Sequence, residues 1–353
     1  MDMTVDFTQS LGLEELSERI GGVFGGSDLS FFDLVLNALK GENGLSLKWI
    51  FSSVRQAVGA EAADYKMIFA SILIIGIFSA VFAQFGQLFE SRQVADISYD
   101  IAFLLMVMVL LKIMQKGMDI AQESLLTIAD FSKLLVPTYC LSVGFAAGSA
   151  TAIAFYELAL IVIYLIENLL LVAVMPMIYV YTLLSVMSGI SSDGRLDGIL
   201  AFTKKGISFV LKCCVTVISG IGLLQGMITP VIDSVSTGAL QKLVSVIPGI
   251  GGFVNTASDV VYGSAVLVKN AVGVAGILLL LLLCAMPLLK LLLLALSLKA
   301  AAAISGVVAD ARMSRCVEQV SEGSVLLLRT LTCAMALFIV TVAVIAVTTN
   351  RGF

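Results

Sequence analysis

The chain predicts an all-α, polytopic helical membrane protein, and three observations carry that prediction. Of its 353 residues, 59% are hydrophobic and 13% are charged, against roughly 45–50% and about 25% in soluble domains. Its mean hydropathy is +1.05. Charge-free apolar runs of membrane-spanning length recur, Met67–Phe89 and Cys213–Ile232 among them. A water-soluble fold has too little interior to hide so much apolar surface, so lipid must solvate much of it. The expected architecture is roughly seven to nine hydrophobic helices with a re-entrant or broken segment.

Residues 1–66 stand apart. They hold ten acidic and five basic residues, and "LGLEELSERIGGVF" and "SFFDLVLNALKG" place apolar residues at helical spacing. Gly21, Gly22 and Gly41 supply stops. The pattern predicts short amphipathic helices, extramembrane or lying in the interface. The first ten residues, "MDMTVDFTQS", lack the basic start and apolar core of a signal peptide.

The polytopic region runs over residues 67–353. Met67–Phe89 is a first span, and Ile101–Met114 is a shorter one that contains Lys112. "DIAQESLLTIADFSK" reads as an amphipathic connector or a helical extension, and Leu134–Tyr156 as a further span. Leu158–Ile190 is too long for one crossing and short for two. A break near Glu167–Asn168 and a second helix over Leu169–Ile190, kinked at Pro176, resolve it. After the polar "SSDGRLDG" come Cys213–Ile232, then Ala271–Leu289 with a continuation or a further helix past Pro287. A polar loop is expected around Asp310, Arg312, Arg315, Glu318 and Glu322, and a last span over Val325–Thr349.

Several chemistries have no residues to run on. There is no His, which removes Ser-His-Asp catalysis, imidazole metal ligation and His proton relays. The six cysteines, at 140, 213, 214, 284, 316 and 333, show no CxxC spacing and read as small buried hydrophobes. A net charge of −4 without a basic run gives nucleic acid no footing. The chain is expected to be no enzyme, to need no cofactor, and to have the bilayer as its first partner.

Charged side chains at bilayer depth cost about 2.5–3.5 kcal/mol each on insertion scales, so they default to functional or paired roles. Glu157, Glu167, Asp259, Lys269, Lys290 and Lys299 are the candidates, with Asn270 beside Lys269. Lys112, Lys212, Lys299 and Arg329 are expected to sit near helix ends and snorkel to the interface. Two GxxxG patterns, Gly144–Gly148 and Gly222–Gly226, mark faces where helix backbones approach closely.

"IPGIGGFVNTASDVVYGSAVLVKN", Ile247–Asn270, is a polar island between apolar runs. Pro248 removes a backbone donor, and Gly249, Gly251 and Gly252 disfavour a continuous helix. A surface loop, a re-entrant hairpin and a broken helix lining a cavity all satisfy the backbone. Asp259 and Lys269 then lie on a short helix, nearly three turns apart, and find their partners elsewhere.

The run from "VIPGIGGFVNTASDVVYGSAVLVKN" through "AMPLLKLLLLALSLKAAAAI" resembles the signature region of the stage III sporulation protein AE family, at Pro248, Gly251, Asp259, Lys269, Asn270, Pro287 and Lys290 among others. "LLQGMITPVIDSVS", "AVMPMIYVYTLLSVMS" and "NALKGENGLSLKWIF" extend the likeness from about residue 27 to the end. The resemblance implies a polytopic subunit of the complex joining the mother cell to the engulfed forespore, a channel or specialised secretion apparatus. It implies residence in the mother-cell membrane around the forespore. The implied partners are membrane proteins of the same operon and a forespore-side protein. A homo-oligomer lining the pore is the leading expectation. A self-contained secondary permease, binding a solute at Glu157, Glu167 and Lys269, and a membrane scaffold are the alternatives.

Overall fold

The computed structural model of the protein describes residues 66–67, 69–78, 80–81, 92–147, 161–190, 196–217, 219–220 and 251–348. Among these the chain is helical apart from short turns. The helices are α1 (Phe69–Phe78), α2 (Arg92–Ala147), α3 (residues 161–190), α4 (residues 197–217), α5 (Gly251–Val308) and α6 (Ala311–Thr348). Four of them, α2, α3, α5 and α6, are long and apolar enough to cross a membrane. All but the last residue of the amphipathic region 1–66, and most of Cys213–Ile232, lie outside the described residues.

The all-helical character is as expected, but among the described residues the helices are longer than the sequence suggested. α2 runs unbroken for 56 residues, about 84 Å at 1.5 Å per residue. It fuses the short span at Ile101–Met114, the amphipathic connector and the start of the expected Leu134–Tyr156 span. The connector stays helical because its apolar residues keep the helical step: Phe103, Met106, Leu110, Met114, Ala121, Leu125, Ile128, Phe131 and Leu135 are all buried along one seam. α5 is likewise continuous over 58 residues, straight through Pro287. Burial of Leu280, Cys284, Leu291 and Leu294 on both sides of the proline holds the helix across the missing N–H.

The break expected near Glu167–Asn168 is instead a change of helical pitch slightly later. Leu170–Val174 form one π-helical turn, in which the Met175 N–H donates to the Leu170 carbonyl. Pro176 lies immediately after it, has no N–H to donate, and would press its ring on the carbonyl four residues back. The wider turn relieves that crowding without ending the helix.

α6 is the centre of the bundle. It packs along α5 and against α2 and α3, and its buried residues cover more than half of its circumference, with Val317, Val320 and Leu327 on one side and Leu326, Cys333 and Leu337 on another. The expected polar loop is only the two residues Ala309–Asp310. Asp310 caps α6, its carboxylate accepting the Arg312 N–H at 2.9 Å. Arg312, Arg315, Glu318 and Glu322 therefore lie on the first turns of α6 rather than in a loop.

Four glycines set how closely the helices approach. A Cβ at Gly117 would meet Leu294 of α5 and Leu327 of α6, one at Gly276 would meet Leu135 of α2, one at Gly189 would meet Cys316 and Phe103, and one at Gly323 would meet Met114 and Thr182. These contacts fix the register. α2 and α6 run parallel, and α3 and α5 run antiparallel to them.

Candidate functional site

The charged residues inside this bundle gather at two depths. The denser cluster lies where α4, α5 and α6 converge. Glu322 of α6 takes Lys204 of α4 at 2.8 Å on one carboxylate oxygen and Lys299 of α5 on the other. Glu322 is 24% exposed and the lysines 39% and 41%, so the cluster is neither dry nor fully solvated. One carboxylate shared by two ammonium groups leaves a residual positive charge and ties three helices at one point.

One helical turn toward the start of α6, a second cluster forms on Asp197, the first residue of α4. Its carboxylate accepts the Ser188 hydroxyl of α3 at 2.9 Å and the Gln319 amide of α6 at 3.3 Å, with Arg315 at 3.9 Å. An acid at a helix N-terminus also faces unpaired backbone N–H groups. Arg315, Gln319 and Glu322 follow the i, i+4, i+7 spacing of one helix face, so a single stripe of α6 makes both clusters. Further out, the Arg312 guanidinium lies 4.6 Å above the ring of Tyr99, which stacks on Phe103.

The second depth lies near the other end of α2 and α3. Glu167 is 5% exposed and accepts the Ser132 hydroxyl at 2.7 Å. Ser132 also reaches the Ile128 carbonyl at 2.8 Å. A hydroxyl has one proton, so two acceptors compete for it. Nearby, Phe131 of α2 packs on Phe338 of α6.

The expected site residues fall out unevenly. Glu167, a candidate from the sequence, is buried between α2 and α3 beside Ser132. Asn270 and Lys290 are half-buried on α5. Gly251, Asp259 and Lys269 belong to α5, so the chain from Gly251 onward is helix rather than loop, and the helix bearing Asp259 and Lys269 is long rather than short. The side chains of Asp259 and Lys269, and all of Glu157 and Pro248, lie outside the described residues. So do Gly148, Gly222 and Gly226, while Gly144 is known only as a position on α2. Lys299, expected to snorkel, is instead held by Glu322.

Sequence reasoning missed Glu322, Lys204, Asp197, Gln319 and Ser132. The signal for the first group was the helical spacing of Arg315, Gln319 and Glu322 among Cys316, Val317 and Val320, read as a loop because of its charge. Among the described residues no group of three His, Cys, Asp or Glu side chains is placed to hold a metal ion. Cys214, Cys284, Cys316 and Cys333 are free and buried.

No solved structure matches the chain. Stage III sporulation protein AE of Bacillus subtilis (strain 168) is 23% identical over 309 residues, covering 86% of this chain and 75% of that protein. The family profile described as stage III sporulation protein AE matches residues 29–349, which take in every described helix. The chain belongs to the stage III sporulation protein AE family.

Proposed function

We propose that the chain is a non-enzymatic membrane subunit of the sporulation channel or secretion complex that links mother cell and forespore. It resides in the mother-cell membrane around the forespore, and copies of it associate to contribute to the pore. One observation carries the reading: the family match over residues 29–349. The architecture suits it, since four helices have the length and apolarity to cross a bilayer. Its partners in this reading are membrane proteins of the same operon and a forespore-side protein.

Complementation tests the reading. A spore-forming host lacking its own family member, supplied with this chain, is expected to regain late forespore gene expression. A fluorescent fusion is expected to ring the engulfed forespore. Coupled solute uptake by the chain alone in vesicles, without complementation, would replace this reading with a permease.

A further inference from the structure

α2 carries a polar stripe where a lipid-facing helix has none. Lys112, Gln115, Lys116, Asp119, Gln122, Glu123, Asp130 and Lys133 are all exposed. At 100° per residue they fall within an arc of about 120°, which the exposed Leu126 shares as its one apolar member, and from first to last they span about 32 Å of helix. That is close to the roughly 30 Å thickness of the hydrocarbon layer. The opposite face of the same segment is buried against α5 and α6 through Gly117 and against α3 through Ser132.

A charged face normally means a segment in water outside the membrane. The register of the bundle argues otherwise. Gly117 packs on Leu294 and Leu327, and Leu135 on Gly276, so the stripe is level with Gly276–Leu294 of α5. At this depth α5 exposes Leu278, Leu281 and Leu292, and α3 exposes Leu169, Val172 and Val180. The α5 span is the most apolar among the described helices. Two helices therefore present hydrocarbon to their surroundings at the level where α2 presents six ionisable groups.

We infer that residues 112–133 of α2 line a water-filled path through the hydrocarbon layer, closed by further copies of this chain. This rests on the channel-subunit reading above. Lipid is a poor neighbour for Lys112, Asp119 and Glu123, because charged groups in hydrocarbon must find water or a partner, as Asp130 and Lys133 do in each other. Among the described residues no other helix of the same copy covers the stripe, and the side chains that α3 and α5 expose at this depth are mainly aliphatic, so further copies are the walls that this reading supplies. Copies related by rotation in one bilayer place the same residue of each at the same depth. Like charges then face one another across the axis, which a dry seam does not tolerate and a hydrated lumen does. Lys112 and Lys116 form a basic level, Asp119 and Glu123 an acidic one near the middle, and the Asp130–Lys133 pair, at 2.9 Å, a mixed one. Small hydrated solutes are the matching cargo, with the acidic level favouring cations.

The test uses the full chain alone in lipid vesicles. A water-soluble carbodiimide with an amine nucleophile is applied, and modified carboxylates are mapped by mass spectrometry. This needs no substitution, so misfolding of a variant cannot mislead it. Asp119 and Glu123 are expected to react within about threefold of an exposed carboxylate outside the membrane. Single cysteines are then placed in a background without the six native ones. Glu123→Cys is expected to label with an impermeant maleimide, and Val172→Cys and Leu278→Cys at least tenfold more slowly. Unreactive Asp119 and Glu123 would overturn the proposal, whether a partner protein or lipid hides them. Equal labelling at Val172→Cys and Leu278→Cys would also overturn it, by placing this layer outside the hydrocarbon. Complementation without reactivity would sink the water path and leave the subunit reading standing; reactivity without complementation would do the reverse.

Discussion

Gly189→Ala is predicted to destabilise the bundle more than Gly117→Ala, although the second substitution makes the shorter contact. A Cβ at Gly117 would lie 2.5 Å from Leu294 Cδ2 and 3.3 Å from Leu327 Cδ1. Both are terminal methyls, which move by rotation of the leucine side chain. A Cβ at Gly189 would lie 2.8 Å from Cys316 Cβ and 3.0 Å from Phe103 Cζ. The cysteine Cβ is fixed by the α6 backbone, and the phenylalanine ring is stacked on Tyr99, so relief requires helices to shift. Replacing a helix-interior glycine with alanine contributes about 1 kcal/mol of backbone stability, and overpacking a core costs about 1–3 kcal/mol. At Gly117 these nearly cancel, and the variant should stay within about 1 kcal/mol of the parent. At Gly189, next to the end of α3, the helix gain is smaller and the clash is larger, for a net loss of about 2 kcal/mol. At roughly 2–4 °C per kcal/mol for a chain of moderate size, this lowers the apparent Tm by about 4–8 °C. Thermal unfolding of the detergent-purified protein, followed by size-exclusion chromatography, reads the difference. If Gly117→Ala proves the more damaging of the two, the packing described at these crossings is wrong.

Substitutions at three carboxylates and their partners probe the polar clusters. Glu322→Gln removes both ion pairs and leaves Lys204 and Lys299 facing each other, so it should cost about 2 kcal/mol, while Lys204→Met should cost about 1 kcal/mol or less. A larger loss for Lys204→Met in thermal unfolding would contradict the shared-carboxylate arrangement. Glu167→Gln should be neutral or stabilising, because its amide donates to Ser132 and frees that hydroxyl for the Ile128 carbonyl; a loss above about 1 kcal/mol would count against this reading. Asp197→Ala should cost about 1–2 kcal/mol through lost hydrogen bonds to Ser188 and Gln319 and a lost charge at the α4 N-terminus. Ser188→Ala combined with it should add little, and full additivity in a double-mutant cycle would deny their contact.

The fold class was legible because apolar excess and run length are properties of composition, which tertiary packing does not change. Helix boundaries were not. Asp119, Glu123 and Asp130 suggested a connector, yet the seam Met114, Ala121, Leu125 and Ile128 keeps α2 helical while the charges turn outward. Arg315 and Glu322 looked like loop residues for the same reason, and their partners Asp197 and Lys204 are more than 100 positions away in sequence, where no local pattern reaches. Pro176 was expected to kink α3, and it does act on the backbone, through the π turn just before it. Glu167 was found because a lone acid in an apolar run is conspicuous; Ser132, its partner, was invisible because serine is common in membrane helices. The packing glycines were sought by GxxxG spacing, whereas Gly117, Gly189, Gly276 and Gly323 act singly, each receiving one large side chain from a neighbouring helix.

A reconstruction of the full chain in lipid nanodiscs tests the central claim most directly. The account predicts a rotationally symmetric ring in which residues 112–133 of α2 face a central opening and the exposed aliphatic faces of α3 and α5 meet lipid. A monomer, or a ring that buries the α2 stripe in a dry contact and turns α3 or α5 toward the axis, would contradict it.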